Sequence, residues 1–238
     1  MVDAPPVPLT GNPGDKLSDA VYVTLRDEVI YGYFDLNERL YPRALADRFG
    51  VSPTPVKEAL TRLAVEGFVT AIPRRGYRLG RPTAKRVTDL WMARYGLESV
   101  AGELLVEGIR AGSIDADALA TLERAQQLLE AGSHEHRRHL EQNATFHQTL
   151  VDLAANESIT GFYRNIRMHL ISAWVQQGLS TWRSRLVDER NEHRAILEAL
   201  HALDTERLRA AIRQHIDRSL QGALHDLGAV EASRGGEG

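Results

Sequence analysis

The chain has no cysteine. That single absence removes disulfides, thiolate metal sites and cysteine nucleophiles together. No uninterrupted apolar run approaches the roughly 20 residues that a membrane span needs, so no membrane partner is expected. The first stretch, MVDAPPVPLTGNPGD, lacks both the basic region and the apolar core of a signal peptide. Its prolines and glycines point to a disordered tail over residues 1–15, and the cytoplasm is the expected location. There is no HExxH or comparable pairing of metal ligands and base on one helix. What is present, 238 residues with 43% hydrophobic and 26% charged side chains, suffices for two modest domains of ordinary globular composition.

The formal net charge of −3 hides an asymmetry. Residues 16–86 hold 13 Lys/Arg against 8 Asp/Glu, a net +5, whereas residues 87–238 carry −6. A basic unit joined to an acidic one suggests that the first meets a polyanion. The basic part reads as helix, helix, turn, helix, hairpin. Ser18 is the expected cap of a helix bearing Val21, Leu25, Val29 and Ile30 on one face, ended by Gly32. A short helix from Pro42 to Phe49 follows, then the turn GVS, a helix to Glu66, and two extended runs, FVTAI and YRL, around PRRG. That order is a winged helix-turn-helix, expected over residues 16–81. After Leu79 no alternating pattern remains. Residues 82–227 read as an all-α antiparallel bundle, with helical segments at about 90–105, 115–131, 134–155, 158–177, 187–203 and 205–225, and residues 228–238 as a frayed tail. The fold class is therefore mostly α.

The third helix carries the clearest chemistry. Pro53 and Pro55 occupy its first turn, where a missing N–H costs nothing, with Ser52 as the expected N-cap and Gly67 as the stop. On a helical wheel Val56, Ala59, Leu60 and Leu63 share the core face, while Thr54, Lys57 and Thr61 share the opposite one. A short polar face with one cation, led by a stiff N-terminus, suits the major groove, where hydroxyls and Lys reach base edges and phosphates. Arg74 and Arg75 at the hairpin tip, with Gly76 allowing close approach, suit the neighbouring phosphate backbone or minor groove.

The stretch from Glu38 to Leu79, ERLYPRALADRFGVSPTPVKEALTRLAVEGFVTAIPRRGYRL, resembles the GntR family of bacterial transcription regulators through its G-V-S-x-T-P-V-[RK]-E-A-L core. The resemblance implies DNA contacts at Arg43, Thr54, Lys57 and the wing glycine Gly76. Two positions depart from the usual pattern. Pro53 and Lys57 stand where arginine is common, and a lysine offers a point charge in place of a bidentate fork.

Nine histidines remain to be sorted. His134, His136 and His139 lie in the polar run SHEHRRH and are expected to be solvated, while His169, His201 and His225 show no evident partner. His147, His193 and His215 interrupt apolar stripes on three different helices, and Asn143 lies one turn before His147. Each histidine could be a core residue with one hydrogen bond. One shared divalent cation would answer all of them together, with open coordination positions left for water or a ligand. RYGLESVAGEL, NATFHQTL, NEHRAILEALHALD and AAIRQHI are similar to the C-terminal domain of the FadR-like (FCD) branch of the same family. That resemblance implies a divalent metal of the Zn, Ni or Mn type held by Asn143, His147, His193 and His215, with asparagine replacing the commoner aspartate. An uncharged ligand leaves the centre at +2 in place of +1, which favours an anionic effector. Asn143→Asp is then expected to weaken effector binding and tighten metal. Arg94, in the stripe of Leu90, Trp91, Leu97 and Ala101, is either the ion-pair partner of Glu98 or an anchor for the effector's carboxylate, beside Asn143.

The function implied is a ligand-responsive regulator, of repressor sense, acting as a homodimer on a pseudo-palindromic double-stranded operator with half-sites about 34 Å apart. Its effector would be a small carboxylate. The alternative is a metal-dependent hydrolase built on the three histidines.

Overall fold

In a computed structural model, which describes residues 8–10, 16–31, 33–34, 38–80, 82–132, 135–166, 168–176 and 181–235, the chain divides into two compact units after Pro82. The expected stops Gly32 and Gly178 and His134 lie outside the described residues, as does most of the expected N-terminal tail.

The first unit runs α1 (Leu17–Ile30), β1 (Arg39–Leu40), α2 (Pro42–Phe49), α3 (Pro53–Val65), β2 (Val69–Ile72) and β3 (Gly76–Leu79). Its core is the face read from periodicity. Val21, Leu25 and Val29 of α1 meet Leu45 and Phe49 of α2 and Val56, Leu60 and Leu63 of α3, all buried. Polar contacts fix the helices to one another. Arg48 of α2 reaches Glu28 of α1, and Arg62 of α3 pairs with Asp19 at 2.6 Å while lying 3.8 Å over the Tyr22 ring. Two details differ from expectation. The N-cap of α1 is Lys16, not Ser18, which lies inside the helix. Ser52 does occupy the N-cap position of α3 in extended conformation, but its side chain makes no capping hydrogen bond. The C-terminus of α3 closes as expected, with Gly67 at φ +79°, its N–H on Ala64 O and the Phe68 N–H on Leu63 O.

The sheet has the order β1-β3-β2, all antiparallel, with Val69 opposite Leu79 and Ile72 opposite Gly76. Two-residue β1 carries no periodic signal and goes unread in the sequence. Its presence changes the reason for Gly76. That residue sits at φ +81°, and a Cβ there would lie 2.6 Å from the Leu40 carbonyl oxygen of β1. The glycine is demanded by the fold of the wing itself.

The second unit is wholly helical among the described residues apart from a 3-10 turn at Ala116–Ala118 and short connections. It runs α4 (Ala84–Arg110), α5 (Leu119–Gly132), α6 (His136–Leu153), α7 (Glu157–Ile166), α8 (Met168–Val175), α9 (Trp182–His201) and α10 (Thr205–Gly235). The Thr83 hydroxyl caps α4 by accepting from the Arg86 N–H. This long helix packs on α10, α6 and α7. Gly102 lets α10 come close, since a Cβ there would lie 2.9 Å from Leu208 Cδ2, and Trp91 Nε1 donates to Ser219 Oγ at 3.0 Å. The span read as one helix over 158–177 is two, α7 and α8. Residues 228–235, expected to be frayed, continue α10, as the helix-favouring run AVEASR allows. No helix among the described residues is long and apolar enough to cross a membrane.

Candidate functional site

In the first unit, the sequence-predicted residues stand on α2 (Arg43), on α3 and its N-cap (Ser52, Thr54, Lys57, Thr61) and on the hairpin of β2 and β3 (Arg74, Arg75, Gly76). Arg43, Ser52, Thr54, Lys57, Thr61, Arg74 and Arg75 are exposed and Gly76 is half-buried. The Thr61 hydroxyl donates to Lys57 O at 2.8 Å, so it faces outward with its lone pairs open. Pro53 and Pro55 remove two of the donors that a helix leaves unpaired at its start, and Thr54 carries the N–H that remains between them. Cations of this unit divide into two sets. Arg48 and Arg62 are spent on Glu28 and Asp19, whereas Arg43, Lys57, Arg74 and Arg75 make no ion pair among the described residues. Sequence reasoning missed Arg39 and Arg78. Both are exposed, and they stand directly opposite each other on β1 and β3. Like charges in that register oppose folding of the sheet, and an external polyanion relieves them.

In the second unit, α6, α9 and α10 bring His147, His193 and His215 together. Their ring centroids lie 4.7–4.9 Å apart, and one nitrogen from each falls within 4.8 Å of the others. All three are buried. Each ring has its Nδ1 on an acceptor from another helix: Glu98 Oε2 at 3.0 Å for His147, Gln126 Oε1 at 2.9 Å for His193, and Glu192 Oε2 at 3.0 Å for His215. Gln126 is itself oriented, because its amide nitrogen donates to Glu130 at 3.0 Å. A carboxylate or amide oxygen can only accept, so the proton sits on each Nδ1 and the lone pair on each Nε2. Nε2 of His147 and of His193 is buried without a partner. Converging lone pairs with nothing to bond are costly in a core, and a divalent cation is what such a donor set fits. Burial, followed by repulsion from the nearby Arg94 guanidinium, pushes His147 down to about 4. Burial, then the neighbouring His215 and His147 rings, holds His193 well below the usual imidazole range. His147 and His193 are therefore neutral near pH 7, the form that ligates metal.

Arg94 serves the bundle and faces the cavity at once. Its Nε donates to Glu98 Oε1 at 2.6 Å, and its Nη2 stands 3.3 Å from His215 Nε2. Glu98 is fully buried and also accepts from Tyr163 Oη at 2.6 Å. Burial drives its carboxyl upward, but Arg94, with His147 and Tyr163, holds it well below the usual carboxylate range. Asn143 lies one turn before His147 on α6, half-buried, and lines a cavity of about 50 Å³ together with Arg94, His147, Tyr163 and Glu189. At roughly 10–15 Å³ per water, that space takes a ligand of only a few non-hydrogen atoms.

Two expectations about the remaining histidines fail. His139 is buried, stacks on Trp182 and sits 3.3 Å from Glu189. His136 stacks on the same indole and bonds Gln176 at 2.7 Å. Both were masked by the polar run that contains them, although 139, 143 and 147 are spaced by four and so share one helix face. His201 does have a partner, Glu123 at 2.7 Å.

A winged helix-turn-helix with unpaired cations, followed in the chain by a helical unit with an internal histidine-lined cavity, defines a DNA-binding regulator with a second, all-helical domain. Residues 17–79 match bacterial regulatory proteins of the gntR family and residues 89–218 match the FCD domain, and the chain belongs to the GntR family as a DNA-binding transcription regulator, not an enzyme. It is similar to the Nta operon transcriptional regulator of Aminobacter aminovorans, 30% identical over 83% of this chain and 90% of that one. It is also similar to the transcriptional repressor GlaR of Escherichia coli (strain K12), 25% identical over 82% and 90%. The solved structure of E. coli McbR/YncC shares the fold, with a TM-score of 0.66 at 22% identity over 89% of this chain and 98% of that one.

Proposed function

We propose that the chain is a cytoplasmic homodimeric repressor whose helical unit binds a divalent metal of the Zn, Ni or Mn type and, through it, a small carboxylate. The observation that carries the reading is the pair of buried, unpartnered Nε2 atoms on His147 and His193, beside a third imidazole nitrogen on His215. Asn143 supplies an oxygen next to them. The ligand set is uncharged, and Arg94 adds a buried cation 3.3 Å from His215 Nε2. When that nitrogen ligates metal, the guanidinium loses its acceptor and faces a second positive charge. One small carboxylate answers both, since a guanidinium binds carboxylates bidentately. The cavity of about 50 Å³ supports acids of the size of a short hydroxy or keto acid.

On the DNA side, Thr54, Lys57 and Thr61 enter the major groove of a pseudo-palindromic operator, with Ser52 and Arg43 at its edge. Arg74, Arg75 and Gly76 follow the adjacent backbone, with Arg39 and Arg78 on phosphates. The repressor sense is taken from the likeness to GlaR. Effector binding alters DNA affinity through a coupling of roughly 1–3 kcal/mol. A thermal-shift series of small carboxylic and sugar acids, run with and without chelator, tests the sensing half. The expected result is at least one acid that raises the melting temperature only when metal is present. Stabilisation that survives chelation contradicts a metal-borne effector. The hydrolase alternative has no supporting observation, since Glu98 is committed to three hydrogen bonds and Glu192, equally close to a histidine, is held by His215 and Arg218.

A further inference from the structure

Of the three converging histidine nitrogens, two are open and one is held. Nε2 of His147 and of His193 has no partner, whereas Nε2 of His215 stands 3.3 Å from Arg94 Nη2. A guanidinium only donates, so that contact is an N–H directed at the imidazole lone pair. It agrees with the proton on His215 Nδ1, which faces Glu192 Oε2 at 3.0 Å. Arg94 has little room to withdraw. It is 4% exposed, and its Nε is tied to Glu98 Oε1 at 2.6 Å on the same helix. A cation ligated by all three imidazoles must therefore take one lone pair from a guanidinium that stays beside it. The freed N–H loses its acceptor in a buried site, and two positive charges come together. A carboxylate in the cavity that Arg94 lines offsets both, because it accepts the N–H and supplies a counter-charge.

We infer that Arg94 is the residue that couples the two ligands: it contends with the divalent cation for His215 Nε2 and yields that lone pair when a carboxylate engages the guanidinium. This rests on the reading that the three histidines hold a metal, and adds to it a residue and a sign. Arg94 weakens metal uptake when no acid is present, and an acid restores it. By reciprocity the acid binds the metal-loaded protein more tightly by the same factor. The helical unit then responds to acid and metal jointly, rather than to either alone.

Zn²⁺ titrations against a chromophoric indicator test this on full-length protein stripped with chelator. They are run with and without acetate, which is small enough for a cavity of about 50 Å³, and corrected for Zn²⁺ bound by free acetate. Wild type is compared with E98Q, R94M/E98Q and R94K, and each metal-free protein is melted. In wild type, acetate tightens Zn²⁺ roughly 5- to 150-fold, the usual span for coupled sites. R94M/E98Q removes both members of the ion pair, so no buried charge is stranded. Without acetate it binds Zn²⁺ about tenfold tighter than E98Q, and acetate changes that affinity by less than about twofold. R94K keeps the ion pair with a single nitrogen, and it decides the matter where the double variant does not fold. Its metal-free form melts below wild type, yet it binds Zn²⁺ more tightly in acetate-free buffer. A residue serving only the bundle would move both readouts downward. Zn²⁺ affinity no higher than the parent's in these variants overturns the inference, as does undiminished acetate dependence in R94M/E98Q or a wild-type affinity indifferent to acetate. If wild type takes up no Zn²⁺ under either condition, the metal reading fails as well.

Discussion

Lys57→Glu is expected to abolish operator occupancy at protein concentrations that saturate the site with wild type. Lys57 projects from the exposed face of α3, between Thr54 and Thr61, and no ion pair among the described residues holds it. Reversing it removes an attraction to base edge or phosphate and adds a repulsion in the same place. A good base contact is worth roughly 1–3 kcal/mol. In the proposed homodimer, two recognition helices on one operator double that, so the loss is about 30-fold at the low end and about 10⁴-fold at the high end. The fold should be unaffected, because the buried side of α3 is Val56, Ala59, Leu60 and Leu63. Anisotropy titrations at two salt concentrations, with a melting curve for each protein, read both quantities. A change below threefold with an intact fold would mean that another surface reads the DNA.

Glu98→Ala is expected to cost the bundle about 3–5 kcal/mol, the range for removing one partner of a buried charge pair. Glu98 has no solvent exposure and takes three donors from three helices: Arg94 Nε, Tyr163 Oη and His147 Nδ1. Its loss strands the Arg94 guanidinium in the core and releases His147 to rotate. Against a total stability of about 5–15 kcal/mol, that is a large fraction. Urea unfolding of the chelator-treated protein should show a lower midpoint, and the folded remainder should bind Zn²⁺ poorly. A loss below 1 kcal/mol would show that the Arg94–Glu98–His147 arrangement does not anchor the bundle.

The two units differ in how far sequence exposes them. In the head, the determining signals are local: prolines at a helix start, a 3.6-residue stripe, a glycine stop. Each names its residue, so α3 and its Thr54–Lys57–Thr61 face are legible directly. Strand β1 is not, because two residues carry no period, and the need for Gly76 comes from that unread neighbour. In the bundle, periodicity picks out His147, His193 and His215 as polar intrusions on apolar faces. It cannot name their partners. Glu98, Gln126 and Glu192 reach the rings across separations of 49, 67 and 23 residues. Glu189 illustrates the same limit. Its spacing of four from His193 is visible in the sequence, but its contact with His139 joins two helices that only the folded bundle brings together.

The direct test of the account is metal stoichiometry. Chelator-stripped protein, titrated calorimetrically with Zn²⁺ at pH 7.5, should bind one ion per chain, and His193→Ala should reduce that binding at least a hundredfold while leaving a folded bundle. Absence of a binding isotherm in wild type, or equal uptake by the alanine variant, would contradict it.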